Sequence, residues 1–291
     1  MKNTIKIVSA LATVVALLSS CNVDNIGAEY IPTTGGASLA QAVINSTEIP
    51  ATQNTFNVDV YRGNADGPLT VNVSSELPEG ISCPSSVTFE SGSYTSSIAL
   101  DISQMSIGKT YKGSISIEVS EAESAIATTK ASFTLAKAYN WISLGTGFFF
   151  EGFWEGFLSD CEVFKAEGFD RYRFMKPYSA SEEAVNAGPS YFEFWVINDD
   201  KNVKFDTFVT PFDYDGAGSM IKGYWPSDLD SKYADHEAET GFYEDDIIVL
   251  FPCWYIDGLG GWASSFYAIA LCLPGRSEES FIGWLSENGL Y

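Results

Sequence analysis

FNVDVYRGNADGPLTVNV, residues 56–73, is the segment whose reading sets the fold class. Phe56, Val58 and Val60 alternate with polar side chains, and Leu69, Val71 and Val73 do the same. A period of two is that of a strand with one face on a core and the other in water. Between the two runs, residues 63–68 gather Gly63, Asn64, Asp66, Gly67 and Pro68, which favour tight turns, so the pair reads as a β-hairpin.

Short runs of the same kind follow at residues 86–89, 94–100, 111–119 and 125–135, separated by glycine- and serine-bearing breaks. Strands at a spacing of about 8–12 residues, rich in valine, serine and threonine, predict an immunoglobulin-like β-sandwich over residues 37–137. Beyond it the composition changes. Residues 21–137 carry 12 acidic and 5 basic side chains, whereas residues 138–291 carry 26 and 9. All seven tryptophans lie beyond residue 140. The shift predicts a second domain over residues 138–291, aromatic and acidic.

In that domain strand-like runs fall at residues 191–198, 203–209, 219–225, 247–254 and 265–273, with Gly, Pro, Asp and Asn in the gaps. Helical promise is confined to residues 181–187 and 228–239. The pattern predicts an all-β chain, in which a larger antiparallel β-sandwich or barrel follows the first domain. Connections this short do not allow parallel crossovers.

A formal net charge of -22 argues against a nucleic-acid partner, since phosphate neutralisation needs a basic face. A single histidine makes histidine-based relays and histidine-rich metal sites improbable, and no cofactor is expected. At the amino terminus, Lys2 and Lys6 precede an apolar run over residues 7–18 and then Leu18-Ser-Ser-Cys21. The run is shorter than a spanning helix needs and reads as the core of a signal peptide. Its last four residues resemble the bacterial lipobox. That resemblance implies a signal peptide over residues 1–20, lipidation of Cys21 and a membrane anchor, with residues 21–36 as tether. Asn22 after the cysteine favours the outer membrane.

Val87-Thr-Phe-Glu-Ser-Gly92, followed by an alternating strand, resembles Calx-β and related bacterial immunoglobulin-like modules. Where their calcium-binding members carry paired acidic residues, this chain has Asp101-Ile-Ser-Gln, which favours a spacer. Trp141-Ile-Ser-Leu-Gly-Thr-Gly147, the run Phe148-Phe-Phe-Glu-Gly-Phe-Trp154 and Tyr172-Arg-Phe-Met-Lys-Pro-Tyr178 together resemble an all-β module of Bacteroidetes surface lipoproteins. No settled activity comes with it. Lys176 stands where such proteins often carry asparagine, a change without evident chemical consequence. The resemblance implies a lipid-anchored protein of the outer membrane, exposed at the cell surface.

Asp213 and Asp215, beside a glycine turn, are candidate oxygen ligands for calcium, although their spacing is not that of an EF-hand. Cys253 and Cys272 flank a glycine turn almost symmetrically, which allows a cross-strand disulfide; buried free thiols are the alternative. Trp154, Trp195, Trp225, Trp254 and Trp262 are candidate contacts to a sugar face. Trp225 before Pro226 and Trp262 after Gly261 are favoured, because turns place side chains at domain ends. The expected function is a non-enzymatic surface module that binds a glycan or another extracellular ligand. A carboxylate-dependent glycoside hydrolase and a barrel carrying an apolar ligand are the alternatives.

Overall fold

A computed structural model describes residues 36–154, 156–182, 184, 188–262 and 267–291. The signal peptide, Cys21 and the tether as far as residue 35 lie outside the described residues, as do 183 and 185–187 of one expected helical segment. The chain divides into two compact units, Met1–Ala138 and Tyr139–Tyr291, and it is almost entirely β.

The first unit is a sandwich of two sheets. One sheet has the order β1 (Ser38–Leu39), β3 (Thr55–Tyr61), β6 (Thr95–Asp101). The other runs β2 (Val43–Ile49), β8 (Lys130–Lys137), β7 (Thr110–Ile117), β4 (Leu69–Glu76), β5 (Ser86–Phe89). Alternation puts Val58, Val60, Val71, Val73, Ile98, Leu100, Ile115 and Phe133 into one core between the sheets. Burial of such side chains is the main favourable term in folding.

The hairpin expected over residues 56–73 is corrected here. Both strands form, but β3 pairs with β1 and β6, whereas β4 pairs with β5 and β7. The turn-rich segment is a crossover from one sheet to the other. Arg62 holds it: this side chain is 6% exposed and donates from Nε to the Ser93 carbonyl (2.6 Å), from Nη1 to Gly67 (2.7 Å) and from Nη2 to Glu90 (2.7 Å). Its guanidinium also lies over the Phe89 ring. Two strands at residues 38–49 escaped the periodicity reading. β2 pairs in parallel with β8 and is largely exposed along its length, so it carries little apolar signal.

The second unit is built on an eight-stranded sheet in the order β13 (Val203–Phe205), β12 (Tyr191–Val196), β11 (Arg171–Met175), β10 (Phe157–Ala166), β9 (Trp141–Glu151), β20 (Ile269–Cys272), β17 (Ile247–Leu250), β16 (Gly241–Phe242). A bridge between Asn202 and Gly241, next to the two edge strands, brings the sheet near closure as a barrel. All its ladders are antiparallel, as the short connections require. A four-stranded sheet, β14 (Phe208–Asp213), β15 (Met220–Tyr224), β18 (Cys253–Ile256), β19 (Gly260–Trp262), completes the unit.

Phe149, Phe174, Phe192 and Phe194 of the larger sheet share a core with Phe212, Ile221, Trp225 and Trp254 from the smaller sheet and its continuation. Side chains from both sheets meet in this core. On the other face, Phe148, Phe150, Val249 and Ala270 pack against Phe281, Trp284 and Leu285 of a helix at Glu278–Glu287. Strands covered on both faces lose their alternation, which is why residues 148–150 and 247–250 read as continuous apolar runs.

That helix was not foreseen. Its signals were present: Ser277 caps it by accepting from Ser280 N–H, Glu278 and Glu279 occupy the first turn, and Phe281, Trp284 and Leu285 fall at helical spacing on the buried face. The expected helical segment at 228–239 is a short α-turn, Pro226–Leu229, followed by a 3-10 helix, Ser231–Glu239.

Candidate functional site

The outward face of β11 and β12 carries a layered set of cations and rings. Tyr172 and Phe174 point into the core, so period two turns Arg171 and Arg173 outward. In β12, Phe192 and Phe194 are buried, which turns Tyr191, Glu193 and Trp195 to the same face. Register sets Arg171 opposite Trp195 and Arg173 opposite Glu193.

Glu193 accepts Nε–H of Arg171 on one carboxylate oxygen and Nε–H of Arg173 on the other. The Arg171 guanidinium carbon lies 4.3 Å from the Trp195 ring centroid and 5.1 Å from that of Tyr139. That of Arg173 lies 4.0 Å from Trp141 and 4.1 Å from Tyr191. Each guanidinium is thus flanked by two rings and oriented by a carboxylate, a geometry that lysine could not reproduce. The arginine side chains are 21% and 26% exposed and that of Glu193 is 9% exposed.

A groove of about 810 Å³ opens beside this stack, and Arg171, Arg173, Tyr191, Glu193, Asp206 and Thr207 are among the residues that line it. Its origin is topological. β13 pairs only with Phe194–Val196 of β12, and after Phe205 the chain leaves for β14 in the other sheet. Among the described residues, the half of β12 that carries Tyr191 and Glu193 has no strand paired to it on that edge. The volume falls in the range of small-ligand sites.

The tryptophans singled out from the sequence are distributed differently. Trp225 is 2% exposed and Trp254 is fully buried; both are core residues, which corrects their assignment as ligand contacts. Trp225 precedes a turn, yet its ring packs edge-on against Phe205. Trp254 stacks on Phe153 and donates its indole N–H to the Tyr267 carbonyl. Trp154 is half-buried, stacked near Phe212 with Tyr214 at its edge. Trp262 ends β19 opposite Trp254 in register, and its side chain lies outside the described residues. Of the candidates whose side chains are described, Trp195 alone is in the arginine stack.

Asp213 and Asp215 serve their own loop. Asp213 accepts N–H groups of Gly216 and Gly218, and Asp215 accepts the Ala217 N–H and the Ser219 hydroxyl. These bonds hold the Asp215 carboxyl down to about 2. In this loop the carboxylates accept backbone N–H groups and the Ser219 hydroxyl, and among the described residues no three His, Cys, Asp or Glu side chains gather to hold a metal. His236 sits in the 3-10 helix with Glu239 3.8 Å away.

Cys83, Cys161, Cys253 and Cys272 are free thiols. Cys253 and Cys272 belong to different sheets, so the cross-strand disulfide is replaced by its alternative. Lys176 has a left-handed backbone, φ 49°, a conformation asparagine tolerates better than lysine.

Arg171, Arg173, Tyr191 and Glu193 are not among the site residues that the sequence predicts. The signal was there in the alternation Arg171-Tyr-Arg173 and Tyr191-Phe-Glu-Phe-Trp195, which assigns one face to cations and the other to rings. Which two strands would meet was not written in either segment.

Fold and site define an all-β chain whose second, barrel-like unit carries an open groove beside an aromatic–guanidinium stack. No protein-family model matches the chain, and no curated protein matches it. Among solved structures, a multidomain protein including DUF1735 from Bacteroides ovatus is 6% identical, with 81% of this chain and 92% of that chain covered at a TM-score of 0.32. An auxiliary nutrient binding protein from Bacteroides thetaiotaomicron is 11% identical, covering 80% and 91% at 0.31. A provisionally named carbohydrate binding protein from Bacteroides ovatus is 10% identical, covering 81% and 74% at 0.28. Likeness this loose carries neither fold nor function from one chain to another.

Proposed function

We propose that this chain is a non-enzymatic binding protein of the cell envelope, in which the second unit takes a glycan in the groove beside Arg171, Arg173 and Tyr191. The observation that carries the reading is the pre-ordered stack at the edge of a ligand-sized groove. Tyr191 is 41% exposed and offers ring surface for a sugar, while guanidinium N–H groups and Asp206 offer donors and acceptors for hydroxyls. The hydrolase alternative needs two carboxyls available for chemistry. Both oxygens of Glu193 are engaged by arginines, which leaves Asp206 without a partner carboxyl in this groove.

The remaining parts fit a tethered module. Lipid on Cys21 would hold the chain at the outer membrane facing outward. Among the described residues no helix is long and apolar enough to cross a membrane, so the lipid would carry the attachment. In the first unit the opening strand is divided, β1 on one sheet and β2 parallel to β8 on the other. This supports an immunoglobulin-like spacer.

The test is retention of the mature chain on a panel of immobilised polysaccharides, with Tyr191→Ala and Arg173→Ala beside it. Retention that falls at least tenfold in both variants, at an unchanged melting temperature, supports the reading; no retention of any polysaccharide removes it. Cys21→Ala separately reports the anchor, since it is expected to move the protein out of the membrane fraction.

A further inference from the structure

We infer that the groove takes acidic glycans, seating the anionic group of a uronate or sulfated sugar on the paired guanidiniums of Arg171 and Arg173; this rests on the glycan reading above. Each arginine spends its Nε–H on Glu193. Among the described residues neither guanidinium makes a further hydrogen bond or ion pair with a protein group, so the Nη edges of both are uncommitted. Two rings and a carboxylate restrict each side chain, so little rotamer freedom is left to lose on binding. Partial burial strengthens a charge-assisted hydrogen bond to an incoming anion.

The charge arrangement points the same way. Two guanidiniums against the one carboxylate of Glu193 leave a positive spot on a unit that carries 26 acidic and 9 basic side chains. A surface of that sign repels anions in general, so an anion is held only where the paired donors meet it. Asp206, which also lines the groove, is not hydrogen-bonded to either guanidinium; it repels a second negative group and accepts hydroxyls instead. The lining thus offers an anion the arginines and offers hydroxyls Asp206 and Thr207.

The test uses the full mature chain in titrations with oligogalacturonate, a sulfated glycan, and the carboxyl-reduced or desulfated counterpart of each. At least one acidic form is expected to bind at least tenfold tighter than its neutral counterpart. Arg171→Gln and Arg173→Gln should close the gap and Arg173→Lys should narrow it, with melting temperatures checked. Should these variants fail to fold, the wild-type chain still decides. Above about 0.15 M salt, where distant charges are already screened, affinity for the acidic form should fall with added salt while the neutral form is unaffected. Equal or tighter binding of the neutral forms overturns this inference and leaves the glycan reading standing. Binding of none of these and of no other glycan removes both, and binding of poly-glutamate alone replaces them with an acidic peptide partner.

Discussion

Nη2 of Arg62 donates to the carbonyl oxygen of Glu90 at 2.7 Å, tying the end of β3 to the turn between β5 and β6. The same side chain reaches the carbonyls of Gly67 and Ser93, so one buried cation satisfies three backbone acceptors at the crossover between sheets. Truncation by Arg62→Ala would strand those acceptors and expose Phe89. A loss of about 3 kcal/mol is expected. Arg62→Lys keeps the charge but not the planar fork, with a loss of about 2 kcal/mol. Urea unfolding of the full chain measures both.

Lys176 is exposed and held at φ 49°, where a side chain with a Cβ is strained. Lys176→Gly and Lys176→Asn are each expected to stabilise the second unit by about 0.5 kcal/mol. A higher urea midpoint at unchanged slope would bear this out, and a lower midpoint would contradict the conformational account.

Two glycines of the second unit should respond in opposite senses to alanine. A Cβ at Gly147 would lie 2.3 Å from the Cys272 carbonyl oxygen and 2.8 Å from Val163, at the close contact of β9 with β20. Gly147→Ala is expected to cost about 3 kcal/mol. Gly283 is on the open side of the C-terminal helix with nothing within 4 Å. There alanine is expected to stabilise by about 1 kcal/mol through helix propensity. Thermal melts of the two variants separate the cases.

The Asp215 carboxyl is depressed to about 2, first by the Ala217 N–H and then by the Ser219 hydroxyl. A carboxyl lowered on folding contributes stability that is fully present above its unfolded value of about 3.9, and that is lost as pH falls toward 2. Asp215→Asn should therefore flatten the fall in urea midpoint between about pH 4 and pH 2. An unchanged acid limb would show that the loop bonds do not persist in solution. Because these bonds occupy the carboxylates, added calcium is expected to leave the melting temperature unchanged.

Burial pushes the thiols of Cys161 and Cys272 up to about 12 and that of Cys253 to about 11. At pH 8 they are protonated and shielded, hence poor nucleophiles. A thiol reagent should label half-buried Cys83 first and the other three only in denaturant. Rapid labelling of Cys253 or Cys272 in the native chain would contradict their placement, and a mass change on reduction would show that they pair.

The sequence by itself determined most of the strands of the first unit, because one face of each is wet and the alternation at residues 56–60 and 69–73 survives. It also determined the all-β class and the concentration of aromatic side chains and charge in residues 138–291. It did not determine partners. Period two states which face a side chain takes, and says nothing of which strand lies beside it, so a crossover pinned by Arg62 read as a hairpin. The same limit hid the groove. Arg171 and Arg173 are outward by local rule, yet Trp141 reaches Arg173 only because β9, β10 and β11 lie side by side. Tertiary packing likewise put Trp225 and Trp254 into the core despite their neighbouring turns. Burial depends on what a second sheet brings to the ring, a long-range contact that no local pattern of residues encodes.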